Sequence, residues 1–200
     1  MSTLSELYQE IALCQKCELA KYRTNVVPGE GADEADIMLV GEAPGRYEDQ
    51  QGRPFVGPAG QYLDKLLASI NLSRKQVYIA NVIKCRPQGN RDPLPSEILS
   101  CRHWLERQIE LIQPKMIVTL GRYSMAMFFP KKSISKIHGT AQKRDNVIYY
   151  AMYHPAAALH QQSLGKVIEE DMLKIPSLLA QAGSVAEAKQ QPQQLNMFEV

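Results

Sequence analysis

The stretch IMLVGEAPGRYEDQQGRPFVGPAG, residues 37–60, decides the fold of this chain. It starts with the continuous apolar run 37–40, which has the length of a buried strand, and near its end Pro58 opens an amphipathic segment that reaches Ile70. The loop 41–60 contains five glycines, three prolines and three carboxylates. A strand, a long ordered loop and a helix start form the arrangement in which α/β proteins bind ligands. The loop is too long to be a mere connector, so we expect it to be functional.

Apolar segments of strand length recur along the chain and alternate with helical segments. Strands are predicted at 36–41, 77–82, 116–120 and 147–152, and helices at 5–13, 58–70, 96–112 and 164–180. Such alternation predicts βαβ units, in which a mostly parallel sheet carries helices on both faces. We therefore expect an α/β protein, a three-layer α/β/α fold with a four-stranded, mostly parallel central sheet. The folded domain is placed at residues 1–181 and a polar, flexible tail at 182–200.

Several conspicuous residues lie at or after the ends of the predicted strands. The loop 41–60 follows the first strand, Asn81 lies at the end of the second, Gly121 follows the third, and Tyr153 and His154 follow the fourth. The carboxyl ends of parallel strands share one edge of the sheet, and ligands bind there. The sequence therefore predicts a functional site at this edge.

Composition and charge narrow the class of protein. A hydrophobic fraction of 44% and a charged fraction of 22% are ordinary for a soluble globular chain. The net charge of +2 is too small to indicate a polyanion partner, so such a partner would have to contact local basic patches. No apolar run approaches the ~20 residues of a membrane span, and the N-terminus lacks the pattern of a signal peptide. We expect a cytoplasmic monomer with no membrane contact, whose cysteines are not disulfide-bonded.

The four cysteines fall into two pairs with different spacing. Cys14 and Cys17 form a C-x2-C pair, 67 residues separate Cys17 from Cys85, and Cys85 and Cys101 form a C-x15-C pair. Four thiolates suit either a structural zinc ion or a [4Fe–4S] cluster. The long second spacing departs from the two tight knuckles of a zinc ribbon and therefore favours the cluster. The alternative is four unrelated buried thiols.

Five residues near the predicted edge are candidates for chemistry. No dinucleotide or phosphate-binding fingerprint is present, so the loop glycines are expected to let the backbone approach a small planar or anionic group. Glu42 and Glu48 could each serve as general base or electrostatic stabiliser, although either alone is also typical of a solvated loop. Asn81 interrupts an apolar strand and would tie a turn or read the edge of a ligand. Phe55 and His154 would contact the ligand or else anchor the backbone.

Basic residues cluster on the loops between the predicted elements. Each run alone is typical of a solvated face, but together, near one edge, they could follow a phosphate backbone. The runs are Lys84, Arg86 and Arg91; Lys131, Lys132, Lys136 and His138; and Lys143 and Arg144.

Four segments resemble one family, the iron–sulfur uracil-DNA glycosylases of family 4. They are CQKC (14–17), GEAPGRYEDQQGRPFVGPAG (41–60), NVIKCRPQGNRDPLPSEILSC (81–101) and YHPAA (153–157). Their order and spacing are compatible with the family over about residues 4–180. The resemblance implies a monofunctional DNA repair enzyme that hydrolyses the N-glycosidic bond of deoxyuridine, releasing uracil and leaving an abasic site for base excision repair. It also implies a parallel sheet flanked by helices.

The resemblance also assigns roles to the candidate residues. Phe55 would stack on a uracil that has been rotated out of the DNA helix, and Asn81 would hydrogen-bond its Watson–Crick edge. Tyr47 or Glu48 would crowd C5 and so exclude thymine. The implied substrate-binding residues are Gly41, Ala43, Tyr47, Phe55 and Asn81. The four cysteines, Cys14, Cys17, Cys85 and Cys101, would bind a [4Fe–4S] cluster that orders a DNA-facing loop and performs no redox step.

The resemblance divides the chemistry between donors and a carboxylate. His154 and loop amides around residues 42–44 would stabilise the departing uracil anion. Glu42 or Glu48 would stabilise the oxocarbenium-like sugar or position water. The best-known members of the superfamily place an Asp directly before the loop proline, whereas this chain has Ala43 there.

Contacts to the rest of the DNA complete the implied interface. The segment 156–160 would form a loop that enters the groove, with Leu159 as the wedge. The implied DNA-contacting residues are Arg86, Arg91, Lys136, His138, Ala156 and Leu159. A related group of uracil-binding proteins uses a histidine in the region of His138 to trap the sugar. The alternative function is therefore a protein that binds uracil-DNA without turnover.

The chain ends in QLNMF, residues 194–198, followed by Glu199 and Val200. This pentapeptide resembles the segment with which bacterial repair and replication proteins bind the sliding clamp. The clamp-binding residues would be Gln194, Leu195, Met197 and Phe198, with the preceding linker supplying reach. The alternative is that Leu195 and Phe198 dock on the protein's own surface.

Overall fold

The protein is described by a computed structural model that covers residues 3–188. Its α-helices are α1 (Leu4–Ala12), α2 (Arg46–Gln51), α3 (Pro58–Ser69), α4 (Pro95–Ile112), α5 (Arg122–Phe128), α6 (Ile134–Ile137), α7 (Pro155–His160), α8 (Ser163–Met172) and α9 (Ile175–Ala188). Its strands are β1 (Glu30–Gly31), β2 (Ile37–Gly41), β3 (Tyr78–Asn81), β4 (Met116–Leu120), β5 (Ala141–Arg144) and β6 (Val147–Met152). Short 3-10 turns lie at Glu18–Lys21, Arg74–Gln76 and Gln88–Asn90.

The strands form one sheet in the order β1-β3-β2-β4-β6-β5. The four central strands are parallel, and they are the four that the sequence predicts. Two short antiparallel strands extend the sheet at its edges, so the described sheet has six strands where we expected four. β1 has only two residues, and all four residues of β5 are exposed, so neither carries the apolar pattern that marks a buried strand.

Helices cover both faces of the sheet, which confirms the three-layer architecture. Alternate residues of β2 point to opposite faces, as the pleat requires. Leu39 belongs to the core that includes α3, α8 and α9, whereas Met38 and Val40 belong to the core that includes α1 and α4. The strand is therefore buried on both sides, which is why it appears in the sequence as an uninterrupted apolar run.

The loop 41–60 contains a helix that the sequence did not predict. Helix α2 is capped by Gly45, and it ends at Gly52, whose φ of 69° lies in the left-handed region. A polar six-residue helix has no apolar stripe, so its sequence resembles that of a loop.

The predicted final helix at 164–180 is divided into α8 and α9, with Pro176 at the start of α9, where proline is well tolerated. α9 continues to Ala188, although the flexible tail was predicted from residue 182. The proposed clamp motif at 194–198 lies outside the described residues. Within residues 3–188, no helix is both long enough and apolar enough to cross a membrane.

Candidate active site

Gly41, at the carboxyl end of β2, lies between the side chains of Asn81 and Phe55, and the surroundings of these three residues and His154 form the candidate pocket. A Cβ added at Gly41 would stand 2.4 Å from Oδ1 of Asn81 and 2.7 Å from the Phe55 ring. The pairing of β2 with β3 places Gly41 directly beside Asn81. Only glycine therefore leaves room at this point, and the amide and the ring approach each other across it.

The amide oxygen of Asn81 is a buried acceptor that no described group satisfies. Asn81 is 2% exposed, and its Oδ1 has no hydrogen-bond partner among the residues that the structure covers. An unpaired buried acceptor costs about 1–3 kcal/mol, so such groups are rare unless a ligand completes them. Asn81 is therefore poised to accept a hydrogen bond from a ligand.

The backbone around Phe55 is held in a conformation that costs energy. Phe55 is 5% exposed and has a φ of 51°, in the left-handed region that bulky side chains avoid. Arg74 donates to the carbonyl oxygens of Pro54 and Phe55, and the carbonyl of Phe55 approaches Gly60 so closely that a Cβ there would lie 1.7 Å away. The surrounding structure therefore fixes the ring rather than allowing it to relax.

His154 caps helix α7 and faces the same pocket. Its Nδ1 accepts a hydrogen bond from the backbone N–H of Ala156 at 3.1 Å, so in the neutral ring the proton is on Nε2. The ring stacks on Phe55 with a centroid separation of 5.4 Å and an angle of 24°. Burial lowers the pKa of His154 to about 4, against the opposing charge of Glu48, so the ring is neutral at pH 7 and presents an N–H donor.

The carboxylate of Glu48 stabilises the loop through hydrogen bonds to its backbone. Its carboxylate accepts backbone N–H groups from Gly45 at 3.1 Å, Val56 at 2.9 Å and Gly57 at 2.9 Å. These bonds tie helix α2 to the segment that carries Phe55. Such an acceptor orders a loop, and it has little capacity left to position water.

In contrast to Glu48, the carboxyl group of Glu42 lies where burial disfavours its charged form. Burial raises the pKa of Glu42 to about 6, with Asp92 adding to the rise and Arg122 opposing it. Arg122 begins α5 and bonds to Asp92 at 2.5 Å. Sequence reasoning missed both residues, although Arg122 directly follows Gly121 at a strand end, a position that could have singled it out.

The other predicted substrate residues lie on the same loop. Tyr47, in α2, is 52% exposed, and a Cβ added at Gly57 would stand 3.0 Å from its Cδ2. Ala43 is half-buried and packs against the core that includes α4. The structure thus brings Gly41, Phe55, Asn81 and His154 together.

All four cysteines line one cavity, together with Trp104 and Arg23. Three of the four sulfurs accept N–H donors. The donors are Trp104 Nε1 to Cys14 at 3.4 Å, Arg23 Nη1 to Cys85 at 3.1 Å and the backbone N–H of Lys84 to Cys101 at 3.3 Å. Such donors suit negatively charged thiolates, as found around metal-bound cysteines.

Two thiols of this cavity, those of Cys85 and Cys101, resist ionisation. Burial raises the pKa of Cys101 to about 11 and also raises the pKa of Cys85. Within residues 3–188, no three His, Cys, Asp or Glu side chains are grouped to hold one metal ion. The chemistry of the donors fits a group that needs thiolates, since binding such a group drives deprotonation.

Two of the predicted DNA-contacting residues, Arg86 and Arg91, already form hydrogen bonds within the protein. Arg91 is tied to Glu97 by two bonds of 2.6 and 2.9 Å, and Arg86 bonds to Asn90 at 2.7 Å. Leu159 is 52% exposed, but the segment 156–160, predicted as a loop, belongs to helix α7. Ala156 lies in the first turn of α7, and Lys136 lies in α6.

His138 belongs to a separate polar cluster beside the pocket. Its Nδ1 lies 2.8 Å from Oδ2 of Asp171, which is almost completely buried and also accepts a bond of 2.8 Å from Lys174. The His138 ring lies 4.7 Å from that of Tyr153, the neighbour of His154. The carboxylate therefore orients the imidazole and leaves its Nε2 available.

Residues 28–174 match the family model of the uracil DNA glycosylase superfamily. The chain is 48% identical over 188 residues to the type-4 uracil-DNA glycosylase of Sulfurisphaera tokodaii, covering 89% of this chain and 86% of that protein. It is 46% identical over 187 residues to the type-4 uracil-DNA glycosylase of Archaeoglobus fulgidus, covering 89% and 94%. It is 41% identical over 186 residues to that of Thermotoga maritima, covering 90% and 97%.

Proposed function

The chain belongs to the type-4 uracil-DNA glycosylases, and we infer from this membership that it is a DNA repair enzyme that excises uracil from DNA. Its reaction is hydrolysis of the N-glycosidic bond of deoxyuridine, which releases uracil and leaves an abasic site. The observation that carries the site assignment is the buried, unpaired Oδ1 of Asn81.

Recognition of uracil follows from the groups around Gly41. Uracil carries a hydrogen on N3, which the Oδ1 of Asn81 can accept, whereas N3 of cytosine has no hydrogen to donate. A wrong base would leave this oxygen unpaired, and that penalty provides discrimination. Phe55 would supply a rigid apolar surface for the base, and the exposed Tyr47 would crowd the methyl group of thymine.

The chemical step needs stabilisation of two developing charges. Uracil leaves as an anion, and the Nε2–H of the neutral His154 ring can donate to its O2 together with loop amides near Ala43. A neutral donor is suitable because it does not transfer its proton at the start of the reaction. The sugar becomes positively charged, and a nearby carboxylate stabilises it or positions the attacking water.

We assign this carboxylate role to Glu42 rather than to Glu48. The pKa of Glu42 is raised to about 6, so it is mostly ionised at pH 7 and still basic enough to accept a proton from water. Glu48 accepts hydrogen bonds from three backbone N–H groups and serves to hold the loop.

The target nucleotide must leave the stack before the pocket can reach it. The exposed Leu159 on α7 is suited to fill the space that the flipped nucleotide vacates. Lys136 and Arg86 would contact phosphates, whereas Arg91 is engaged by Glu97 and would act mainly by fixing its loop.

The test is incubation of the protein with a uracil-containing oligonucleotide and a matched thymine-containing control. We expect free uracil in molar excess over enzyme and alkali-labile abasic sites. The absence of uracil release by freshly purified, fully loaded protein would contradict the proposed function.

The alternative, a trapping protein without turnover, is favoured by one observation. Asp171 orients His138 as a carboxylate orients the imidazole of a catalytic pair, which would make its Nε2 more nucleophilic. A complex with DNA that resists denaturation, is absent in His138→Ala and forms with release of no more than one uracil per protein would establish this alternative, because attack of Nε2 on the sugar expels uracil once. Multiple turnover by His138→Ala at a rate similar to that of the unaltered protein would exclude it.

We propose that Cys14, Cys17, Cys85 and Cys101 bind a [4Fe–4S] cluster. Bound there, the cluster would cross-link the N-terminal segment to α4 and would perform no redox step in the reaction. A cluster takes one thiolate per iron, whereas a zinc ion would gather four sulfurs at about 2.3 Å around a single point. Anaerobically purified protein should be brown, with about four irons per chain, and colourless, zinc-loaded protein would contradict the proposal.

The remaining proposals concern the surroundings of the enzyme. We propose a cytoplasmic monomer that reaches the sliding clamp through Gln194, Leu195, Met197 and Phe198. Deleting residues 194–200 should abolish clamp binding and leave excision on short oligonucleotides unchanged. Unchanged clamp affinity after the deletion would disprove the role of the motif.

A further inference from the structure

One buried charged side chain connects the pocket to the cysteine cavity. Lys84 is 1% exposed and lies between Asn81, which ends β3, and Cys85. Its ammonium group donates to the main-chain oxygen of Asn81 at 2.8 Å and to Oε1 of Gln108 at 2.7 Å. Its backbone N–H donates to Sγ of Cys101 at 3.3 Å. A single residue therefore contacts both centres.

The partner of the ammonium group is itself fixed. Gln108 is fully buried, and its Nε2 donates to the carbonyl oxygen of Pro28 at 2.7 Å and to the hydroxyl of Tyr78 at 2.9 Å. Tyr78 in turn bonds to the hydroxyl of Tyr8 at 2.6 Å. Because both amide hydrogens of Gln108 are used elsewhere, its oxygen is directed at Lys84.

Helix α4 supplies two of the three hydrogen-bond partners of Lys84, which are Cys101 and Gln108. Cys101 and Gln108 lie about two helical turns apart and thus on one face of α4. One binds the backbone of Lys84 and the other binds its side chain. A displacement of α4 would therefore move Lys84 and, through it, the peptide group that follows Asn81.

An apolar side chain could fill the same volume without the cost of burying a charge. Burying an ammonium group is expensive unless it is fully hydrogen-bonded, and apolar replacements of buried ionic groups are often no less stable. What an apolar side chain cannot supply is a directed bond to the carbonyl of Asn81. Lys84 is therefore expected to contribute a directed hydrogen bond rather than a gain in stability.

We propose that Lys84 is a positioning residue that makes the orientation of Asn81 depend on α4 and the cysteine cavity. The inference rests on the proposed function, because the oriented amide is the one that reads uracil. It explains how a cysteine centre that takes no part in the chemistry can still control the pocket.

The test is Lys84→Met in anaerobically purified holoprotein, with free uracil as the probe. We expect about tenfold weaker uracil binding by calorimetry, the equivalent of one hydrogen bond lost from the positioning of the reader. Discrimination between uracil and cytosine in single-stranded oligonucleotides should fall by a similar factor. Thr119→Val is the matched control, because it removes one buried hydrogen bond, to the carbonyl of Tyr150, without touching either centre. Its uracil affinity should equal that of the unaltered protein.

Gln108→Met provides a second variant. It leaves Lys84 in place but removes the hydrogen bond between its ammonium group and Gln108. It should weaken uracil binding in the same direction by a smaller factor, and it decides the matter if Lys84→Met does not fold. Unaltered uracil affinity and discrimination in a folded Lys84 or Gln108 variant, with only a lower melting temperature, would overturn the inference. Absence of uracil binding and release in the unaltered protein would instead overturn the proposed function, and this inference with it.

Discussion

The pocket and the cysteine cavity treat their polar groups in opposite ways. In the pocket, the oxygen of Asn81 has no hydrogen-bond partner within residues 3–188, and burial raises the pKa of Glu42 and lowers that of His154, which favours the neutral form of each. In the cavity, three of the four sulfurs already accept N–H donors. Under the proposed function, a transient substrate would satisfy the oxygen of Asn81, whereas the proposed cluster would be a permanent occupant of the cavity.

This difference predicts which substitutions should change the stability of the protein and which should change its activity. Unpaired groups in the pocket lower stability and are expected to be retained for function. Donors around the cavity support a bound group, so their loss should affect stability more than chemistry.

The largest effect should come from Glu42, one of the three carboxylates of the loop, and Glu48 provides the comparison. We expect Glu42→Gln to lower the single-turnover excision rate by about 10²–10³-fold with little change in melting temperature, because it removes the ionised carboxylate. Glu48→Gln should mainly lower the melting temperature, since the amides of Gly45, Val56 and Gly57 lose a charged acceptor. If Glu48→Gln lowered the excision rate and Glu42→Gln lowered only the melting temperature, Glu48 would be the carboxylate that performs the chemistry.

The next effect concerns the unpaired amide. Asn81→Ala should reduce kcat/KM for uracil-containing DNA by about 100-fold, while the free energy of unfolding stays equal or rises by about 1 kcal/mol because a buried unpaired acceptor is removed. Denaturant unfolding and steady-state kinetics measure the two quantities on the same preparation. A destabilised Asn81→Ala protein would mean that the amide supports the fold.

Acid should destabilise the pocket through His154. Its pKa is lowered from 6.5 to about 4, so below pH 6.5 the unfolded chain binds a proton that the folded chain excludes. The stabilisation is fully present above pH 6.5 and is lost toward pH 4, by up to about 3 kcal/mol. His154→Asn keeps a capping side chain but does not titrate, so its unfolding free energy should fall less over this range. Parallel pH dependences in both proteins would contradict the assignment.

The smallest effect should come from the cavity. Trp104→Phe removes the Nε1 donor to Cys14 and leaves an aromatic ring. We expect a stability loss of about 1 kcal/mol and loss of visible colour to a chelator that is a few-fold faster, with the excision rate unchanged. A large drop in excision would show that the bond from Trp104 to Cys14 supports the activity as well as the stability of the protein.

The central strands could be predicted from sequence because burial on both faces produces an apolar run. The predicted strands 116–120 and 147–152 coincide with β4 and β6, and 36–41 and 77–82 differ from β2 and β3 only at their ends. Asn81 and His154 could be found because strand ends share an edge. The fully exposed β5 and the polar helix α2 carry no such signal.

The distinction between Glu42 and Glu48 could not be predicted in the same way. It depends on amides that approach Glu48 from residues 56 and 57, after the chain has turned back on itself. The burial of Lys84 was equally hidden, because in the sequence it belongs to a run of basic loop residues. Its partner Gln108 is brought to it only by the packing of α4.

The position of these residues along the chain also sets an order of events during synthesis. The cysteines and Lys84 all lie within the first 101 residues, and α4 ends at Ile112, whereas His154 follows much later. Because chains emerge from the ribosome N-terminus first, the parts of the cavity are available before the pocket can be finished. A nascent chain would thus contain Asn81, the proposed uracil reader, before it contains His154, the proposed donor, and the site would be complete only after β6 and α7 have been added.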